Sequence, residues 1–255
     1  MNIAVAGGTG KVGRHVVSIA RERGHTVKIL ARSEGVDLVT GRGLAGALEG
    51  VDTVIDVVSI QTLSAKASVE FFRATTTNLL QAAKAAGVRH YLALSIVGAD
   101  KAAAGIYSGK LVQEELVSGG EVPWTILRAT QFHEFAGQVL ARSSVGPLAV
   151  VPRMTTQPIA AREVAVALVD AAEAGPQGRI PDLGGPRVEQ LVDMVRTYAR
   201  ESGQRKLVVG ATAPGRLWKA MRNGTLLPEA GAAVGRQTFR EWLAALKQQQ
   251  VHPKP

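Results

Sequence analysis

The chain has 255 residues, 46% of them hydrophobic and only 4% aromatic, with a formal net charge of +9 and no cysteine. This length and apolar content suffice for the core of an α/β domain with elaborations. The lack of cysteine excludes disulfides, thiolate nucleophiles and cysteine-based metal sites and fits a cytoplasmic protein, and no apolar run approaches the roughly 18 residues of a membrane span, so no membrane partner is expected.

Asn2 to Ala6 is a short apolar run, predicted as a strand that starts too early to leave room for a leader peptide. Gly7-Gly8-Thr9-Gly10-Lys11-Val12-Gly13 follows, and an amphipathic stretch from Arg14 to Arg23 ends at Gly24. Strand, glycine turn and helix in this order form a nucleotide-binding signature. Gly7, Gly10 and Gly13 supply a tight turn, close backbone approach to a pyrophosphate and close packing of helix on strand. The helix start offers free N–H groups and a positive dipole end to phosphates, with Thr9, Lys11 and Val12 filling the turn.

Thr26 to Leu30 is the second strand, and Ala31-Arg32-Ser33 follows it. A carboxylate at this place would bind the ribose diol of NAD, whereas a guanidinium beside a hydroxyl suits a 2′-phosphate. Arg32 and Ser33 are therefore expected to favour NADP(H), with NAD(H) as the lesser possibility.

Gly35 to Gly41 is predicted as a brief third strand and Leu44 to Leu48 as a short helix. Val51 to Ser59 is a β-branched fourth strand of the kind buried on both faces of a parallel sheet, which puts Val57, Val58 and Ser59 at the carboxyl end where ligands bind. A helix over Glu70 to Ala86 contains Asn78. Arg89 to Leu94 is the fifth strand, ending at Ser95, and a loop over Ile96 to Ile106 precedes a helix over Tyr107 to Ser118 and a sixth strand over Pro123 to Arg128. This alternation predicts an α/β fold with a Rossmann-type doubly wound parallel sheet.

Beyond it, helices are expected over Thr130 to Ala141, Arg162 to Ala174, Val188 to Glu201, Leu217 to Arg222 and Thr238 to Gln248, with a short strand or loop at Pro147 to Pro152 and strand segments at Arg179 to Leu183 and Leu207 to Val209. No linker marks an independent second domain. The expected layout is one NAD(P)-binding domain, its core over about 1–132 and a smaller substrate-binding lobe over about 133–255. The charge excess concentrates after Gly175 without a nucleic-acid reading motif, so a solvated basic face is expected and a nucleic-acid partner is not.

The segments Ala6 to Gly13, Ala31 to Ser33, Asn78 to His90, Leu94 to Gly98, Trp124 to Phe132, Gln157 to Ile159 and Phe239 to Leu243 resemble the atypical short-chain dehydrogenase/reductases, and among them the NmrA-like NAD(P)H-binding group. The resemblance runs over nearly the whole chain. It implies the cofactor and an oxidoreductase acting on a small-molecule substrate, without naming the substrate, because the group holds quinone, dye and phenylpropanoid reductases beside redox sensors without turnover.

Short-chain dehydrogenases commonly pair a tyrosine with a lysine four residues later, the ammonium lowering the tyrosine pKa. Here Tyr107 and Lys110 are three apart, so the tyrosine departs from the usual spacing while still sharing a helix face. The resemblance places Lys110 at the family's lysine, where it would bond the nicotinamide ribose and polarise a carbonyl or donate a proton. Ser95 matches the family's serine strand end, and Asn78 its helical asparagine. Gln131, Phe132 and His133 follow the sixth strand, where the nicotinamide is expected; Phe132 offers a packing face and His133 a proton at neutral pH. The five histidines, His15, His25, His90, His133 and His252, are too scattered for a local metal motif. The first reading is an NADPH-dependent reductase of a small carbonyl, quinone or enone; the alternative is a non-catalytic NADP(H)-binding sensor.

Overall fold

A computed structural model of the chain describes residues 1–102 and 104–251, leaving His252 outside the described residues. The chain divides into two compact units, the first made of Met1–Ala129 and Ala161–Asp182, the second of Thr130–Ala160 and Leu183–Pro255. The helix and strand after Ala160 thus return to the first unit rather than staying with the carboxyl-terminal residues.

In the first unit the elements are β1 (Asn2–Ala6), α1 (Lys11–Glu22), β2 (Thr26–Leu30), α2 (Leu44–Leu48), β3 (Thr53–Asp56), α3 (Ala65–Ala85), β4 (His90–Ile96), α4 (Ala99–Ala102), α5 (Ile106–Ser118) and β5 (Trp124–Ala129). The chain then passes through α6 (Phe135–Ser143), β6 (Ser144–Val145), β7 (Leu148–Pro152) and β8 (Thr155–Thr156) of the second unit and returns with α7 (Ala161–Ala174) and β9 (Gly178–Arg179). The strands of the first unit are all parallel, in the order β2-β1-β3-β4-β5-β9. The reversal of direction falls at β1, which has β2 on one side and β3 on the other, and such a switch point opens a crevice at the carboxyl ends of the strands.

Apolar residues on both faces of these strands explain the parallel arrangement. On one face Ala4, Ala6, Val54, Tyr91, Ala93 and Ile126 pack with Leu44, Leu48, Leu79, Ala83 and Val117 from the helices. Helix α3 packs on α5, and α1 packs on α7 as a second helix pair. Ser64 caps α3, its Oγ accepting from the N–H of Ala67 at 3.2 Å, which explains why that helix starts earlier than its apolar periodicity predicts.

The predicted third strand over Gly35 to Gly41 is a turn segment instead. The Asp37 carboxylate accepts from the N–H groups of Val39 and Thr40 at 2.9 and 3.4 Å, and Gly35, Gly41 and Gly43 have φ near +80°. A local side-chain turn thus replaces ladder pairing. The Asn78 amide donates to the carbonyls of Leu38 and Val39 at 3.0 and 2.8 Å, so this asparagine holds that loop. The single strand expected over Arg179 to Leu183 is broken at Pro181 into β9 and β10 (Leu183–Gly184).

The second unit continues with β11 (Glu189–Gln190), α8 (Leu191–Glu201), β12 (Leu207–Ala211), α9 (Arg216–Arg222), β13 (Ala233–Val234) and α10 (Phe239–Val251). Strand β7 pairs with β12 in parallel and with β6 antiparallel, while β8 pairs with β11 antiparallel.

Arg128 on β5 is buried in the first unit and forms a bidentate pair with Glu114 of α5 at 2.7 and 2.6 Å, plus a bond to Asp100 at 2.9 Å. Arg128→Leu leaves the Glu114 carboxylate buried without its partner. It is expected to cost about 3–5 kcal/mol of stability at pH 7, measured by urea unfolding; a cost under about 1 kcal/mol contradicts this role.

Candidate cofactor site

The site begins where three strands end side by side. Ala6 lies opposite Leu30 on one flank and Asp56 on the other. The N–H of Gly7 donates to Leu30 O at 3.4 Å, and that of Val57 to Ala6 O at 3.0 Å, so the turn after β1 is clamped between its neighbours. Gly7 has φ +79°, and a Cβ there would lie 3.2 Å from the backbone of Val57 and Val58. A Cβ on Gly13 would sit 2.1 Å from Gly7 O, an impossible contact. The spacing of these glycines is therefore a steric requirement of laying α1 on the turn.

Gly10 precedes α1 in extended conformation, with no side-chain cap and no acidic residue in the first turn. The first N–H groups of a helix have no intrahelical acceptor, and here no carboxylate competes for them. Thr9, Gly10 and Lys11 are exposed, while Val12 and Gly13 are buried beneath them. This backbone cradle, which any Cβ at Gly13 would disrupt, fits a pyrophosphate.

At the end of β2, Ala31 is extended and Arg32–Glu34 forms a short 3₁₀ turn closed by Gly35 at φ +79°. Arg32 and Ser33 are exposed, and neither side chain has a polar partner among the described residues. Lys11, Arg14 and Arg42 are also exposed, and their side chains are unpaired among the described residues. Val57 is half-buried, Val58 buried and Ser59 exposed beyond the end of β3.

Lys110 has a different setting from the one expected of a substrate-facing proton donor. Its side chain points inward, and Nζ donates to Leu94 O at 2.7 Å, Gln113 Oε1 at 2.8 Å and Val58 O at 3.1 Å, lying 4.6 Å from the centre of the Phe72 ring. All three ammonium hydrogens therefore have acceptors within the fold. Gly109 allows the approach: a Cβ there would lie 2.2 Å from Ser68 Oγ and 2.5 Å from Phe72 Cδ2, so α5 meets α3 where Lys110 reaches past it. Behind the ammonium, Asp56 accepts from Gln113 Nε2 at 2.8 Å, Tyr91 Oη at 2.7 Å and Val58 N at 3.0 Å. Burial lowers the Lys110 pKa to about 8, against the opposing charges of Asp56 and Glu114. The Tyr91 phenol is pushed well above its ordinary range by burial and then by Asp56.

The sequence reading missed Asp56, Tyr91, Gln113 and Phe72. Asp56 was detectable as a carboxylate inside a β-branched run, and Gln113 as a polar side chain one turn beyond Lys110.

Tyr107 lies on the same helix face as Lys110 and is largely buried. Ser95 is buried at the carboxyl end of β4, opposite Arg128 on β5, and its Oγ has no hydrogen-bond partner among the described residues. Gln131, Phe132 and His133 belong to the second unit. There Thr156 Oγ1 donates to Gln131 Oε1 at 2.6 Å, and Phe132 is half-buried and bridges Ile159. His133, expected as a proton donor, lies in the core of this unit. It is fully buried, its Nε2 lies 3.0 Å from Gln237 O, and its ring packs 5.9 Å from Phe239 and 5.7 Å from Trp242, centre to centre. Among the described residues no group of histidines and carboxylates could hold a metal ion, and no helix is long and apolar enough to cross a membrane.

The sequence profile of an NAD(P)H-binding family matches residues 7–175, which includes the glycine turn, the end of β2 and the Lys110 network. The chain belongs to that family. Among curated proteins it is 30% identical to a (4-alkanoyl-5-oxo-2,5-dihydrofuran-3-yl)methyl phosphate reductase of Streptomyces griseus, over 78% of this chain and 74% of the relative. It is 23% identical to quinone oxidoreductase 2 of Escherichia coli, over 79% and 75%. It is also 28% identical to the photosystem II assembly factor Ycf39 of Synechocystis, over 63% of this chain and 56% of that protein, so just over half of the factor's length is matched. Among solved structures, MoeE5 in complex with UDP-glucuronic acid and NAD superposes with a TM-score of 0.74 at 18% identity, covering 98% of this chain and 100% of that one. The NADPH complex of the E. coli quinone oxidoreductase QOR2 gives a TM-score of 0.69 at 18% identity, covering 96% and 99%. These likenesses show a Rossmann-type fold shared with NAD- and NADPH-binding proteins.

The Lys110 brace has a pH signature. Its pKa falls from 10.5 unfolded to about 8 folded, so between those values the unfolded chain holds the extra proton. Stability contributed through this group therefore rises with pH over that window, the burial penalty on the ammonium being largest below pH 8 and relieved above it. The difference in unfolding free energy between wild type and Lys110→Met, measured by urea unfolding from pH 7 to 10, is expected to shift in favour of wild type as pH rises through 8. A pH-independent difference contradicts the assignment.

Proposed function

We propose that the chain is an NADPH-dependent reductase of a small carbonyl, quinone or enone substrate. The observation that carries this reading is the pairing of the glycine cradle with an exposed, unpaired Arg32 and Ser33 at the end of the adjacent strand. In this reading the N–H groups at the start of α1 bind the pyrophosphate, and Arg32 with Ser33 binds the 2′-phosphate through charge-assisted hydrogen bonds. NADPH, when bound, supplies the hydride. Two of the matched relatives, the phosphate reductase and the quinone oxidoreductase, carry reductase names that agree with this direction.

The protein's own part is positioning. Lys110 ties the carbonyl after β3 to the last part of β4, fixing the strand ends beyond which ligands bind in such folds. With its hydrogens committed there, Lys110 is a positioning residue in this proposal. Tyr107, on the same helix face, is left as the proton donor, and the unpartnered Ser95 hydroxyl as the group that orients the substrate oxygen.

The internal commitment of Lys110 also favours a second reading, a non-catalytic NADP(H) sensor, and the match to an assembly factor agrees with it. NADPH oxidation across quinones, enones and aldehydes separates the two. The reductase reading expects saturable turnover that Tyr107→Phe lowers at least tenfold in kcat with little change in KM; tight NADPH binding without turnover supports the sensor. In either case Arg32→Ala is expected to weaken NADPH binding about 10- to 100-fold while leaving NADH within about twofold, the span expected of a lost hydrogen bond to a charged group. An equal loss for both cofactors, measured by fluorescence titration, removes Arg32 from the 2′-phosphate.

A further inference from the structure

We propose that the second unit holds a binding pocket for a small organic phosphate monoester, built on Arg153, Arg196 and Arg222. A cavity of about 380 Å³ lies within that unit, a size suited to a small metabolite. Arg153 follows β7, Thr155 begins β8, Gln190 ends β11, Asp193 and Arg196 lie one turn apart on α8, and Arg222 ends α9. The N–H of Leu191 donates to Met154 O at 2.9 Å, locking the start of α8 to the strand that carries Thr155.

The polar groups are unevenly committed. Arg196 donates to Asp193 Oδ1 at 3.0 Å and to Val208 O at 3.2 and 3.3 Å. The guanidiniums of Arg153 and Arg222 have no polar partner among the described residues. Three guanidiniums against one carboxylate leave two net positive charges around one concavity, which complements a dianionic phosphate. Gln190 Nε2 donates to Thr155 Oγ1 at 3.2 Å, which leaves the threonine hydrogen available to a ligand acceptor. Met154 and Val192 provide apolar wall for the organic part.

The backbone is shaped to this arrangement. A Cβ on Gly210 of β12 would lie 3.3 Å from Cγ and Cζ of Arg153 and 3.1 Å from Cγ2 of Val192. The missing side chain lets the arginine lie flat across the strand beside the apolar wall. The pocket stands on this unit alone and does not depend on hydride chemistry.

Calorimetric titration of the full chain with phenyl phosphate at low salt, with and without saturating NADPH, tests the assignment. The expected result is saturable one-site binding in both conditions, weakened about tenfold or more by Arg153→Gln and by Arg222→Gln and unchanged by Arg240→Gln, an exposed arginine outside the cavity. Inorganic phosphate is expected to bind more weakly, and benzyl alcohol not to compete. Absence of saturable binding, loss of binding when NADPH is present, or equal weakening by Arg240→Gln would overturn the proposal. The variants are exposed substitutions, and matching melting temperatures verify that they remain folded.

Discussion

A buried ammonium needs acceptors on every side, and that need organises the carboxyl edge of the first unit's sheet. Lys110 can reside among apolar neighbours only because Leu94 O, Val58 O and Gln113 Oε1 receive its three hydrogens and the face of Phe72 lies beside it. Gln113 in turn is oriented by Asp56, which is fixed by Tyr91 and by the N–H of Val58. Two strand ends and one helix are thereby held by a single chain of polar contacts, and its failure at any member would leave a buried charge unpaired. Gly109 is the steric condition for this arrangement, since any side chain there would push α5 away from α3.

The nucleotide end of the site has the opposite character. On the proposed reading its phosphate contacts would come from backbone N–H groups, and its cofactor preference from Arg32 and Ser33, exposed side chains without polar partners among the described residues. This division explains what the sequence revealed. Gly7, Gly10 and Gly13 are local: their meaning follows from the strand before and the helix after them, so cradle and cofactor class were legible, as was the alternation that makes the sheet parallel. The place of Arg32 directly after β2 was legible for the same reason.

Other features depend on distant partners. The inward commitment of Lys110 is decided by Val58, which lies 52 residues away, and by Leu94. His133 showed no identifiable partner in the sequence because Gln237, Phe239 and Trp242 lie more than 100 residues further along. The strand expected at Gly35 to Gly41 failed through local chemistry: the Asp37 turn and left-handed glycines outweighed its short apolar content. The return of Ala161–Asp182 to the first unit is a topological fact that no local pattern announces.

The central claim is that the loop after β2 reads a 2′-phosphate beside the glycine cradle. The most direct measurement is displacement of bound NADPH, followed by its fluorescence, with 2′,5′-ADP and with 5′-AMP. The account predicts that 2′,5′-ADP displaces NADPH at concentrations at least about tenfold lower than 5′-AMP, with the gap narrowing as salt rises. Equal displacement by the two nucleotides would contradict it and return the cofactor to NADH.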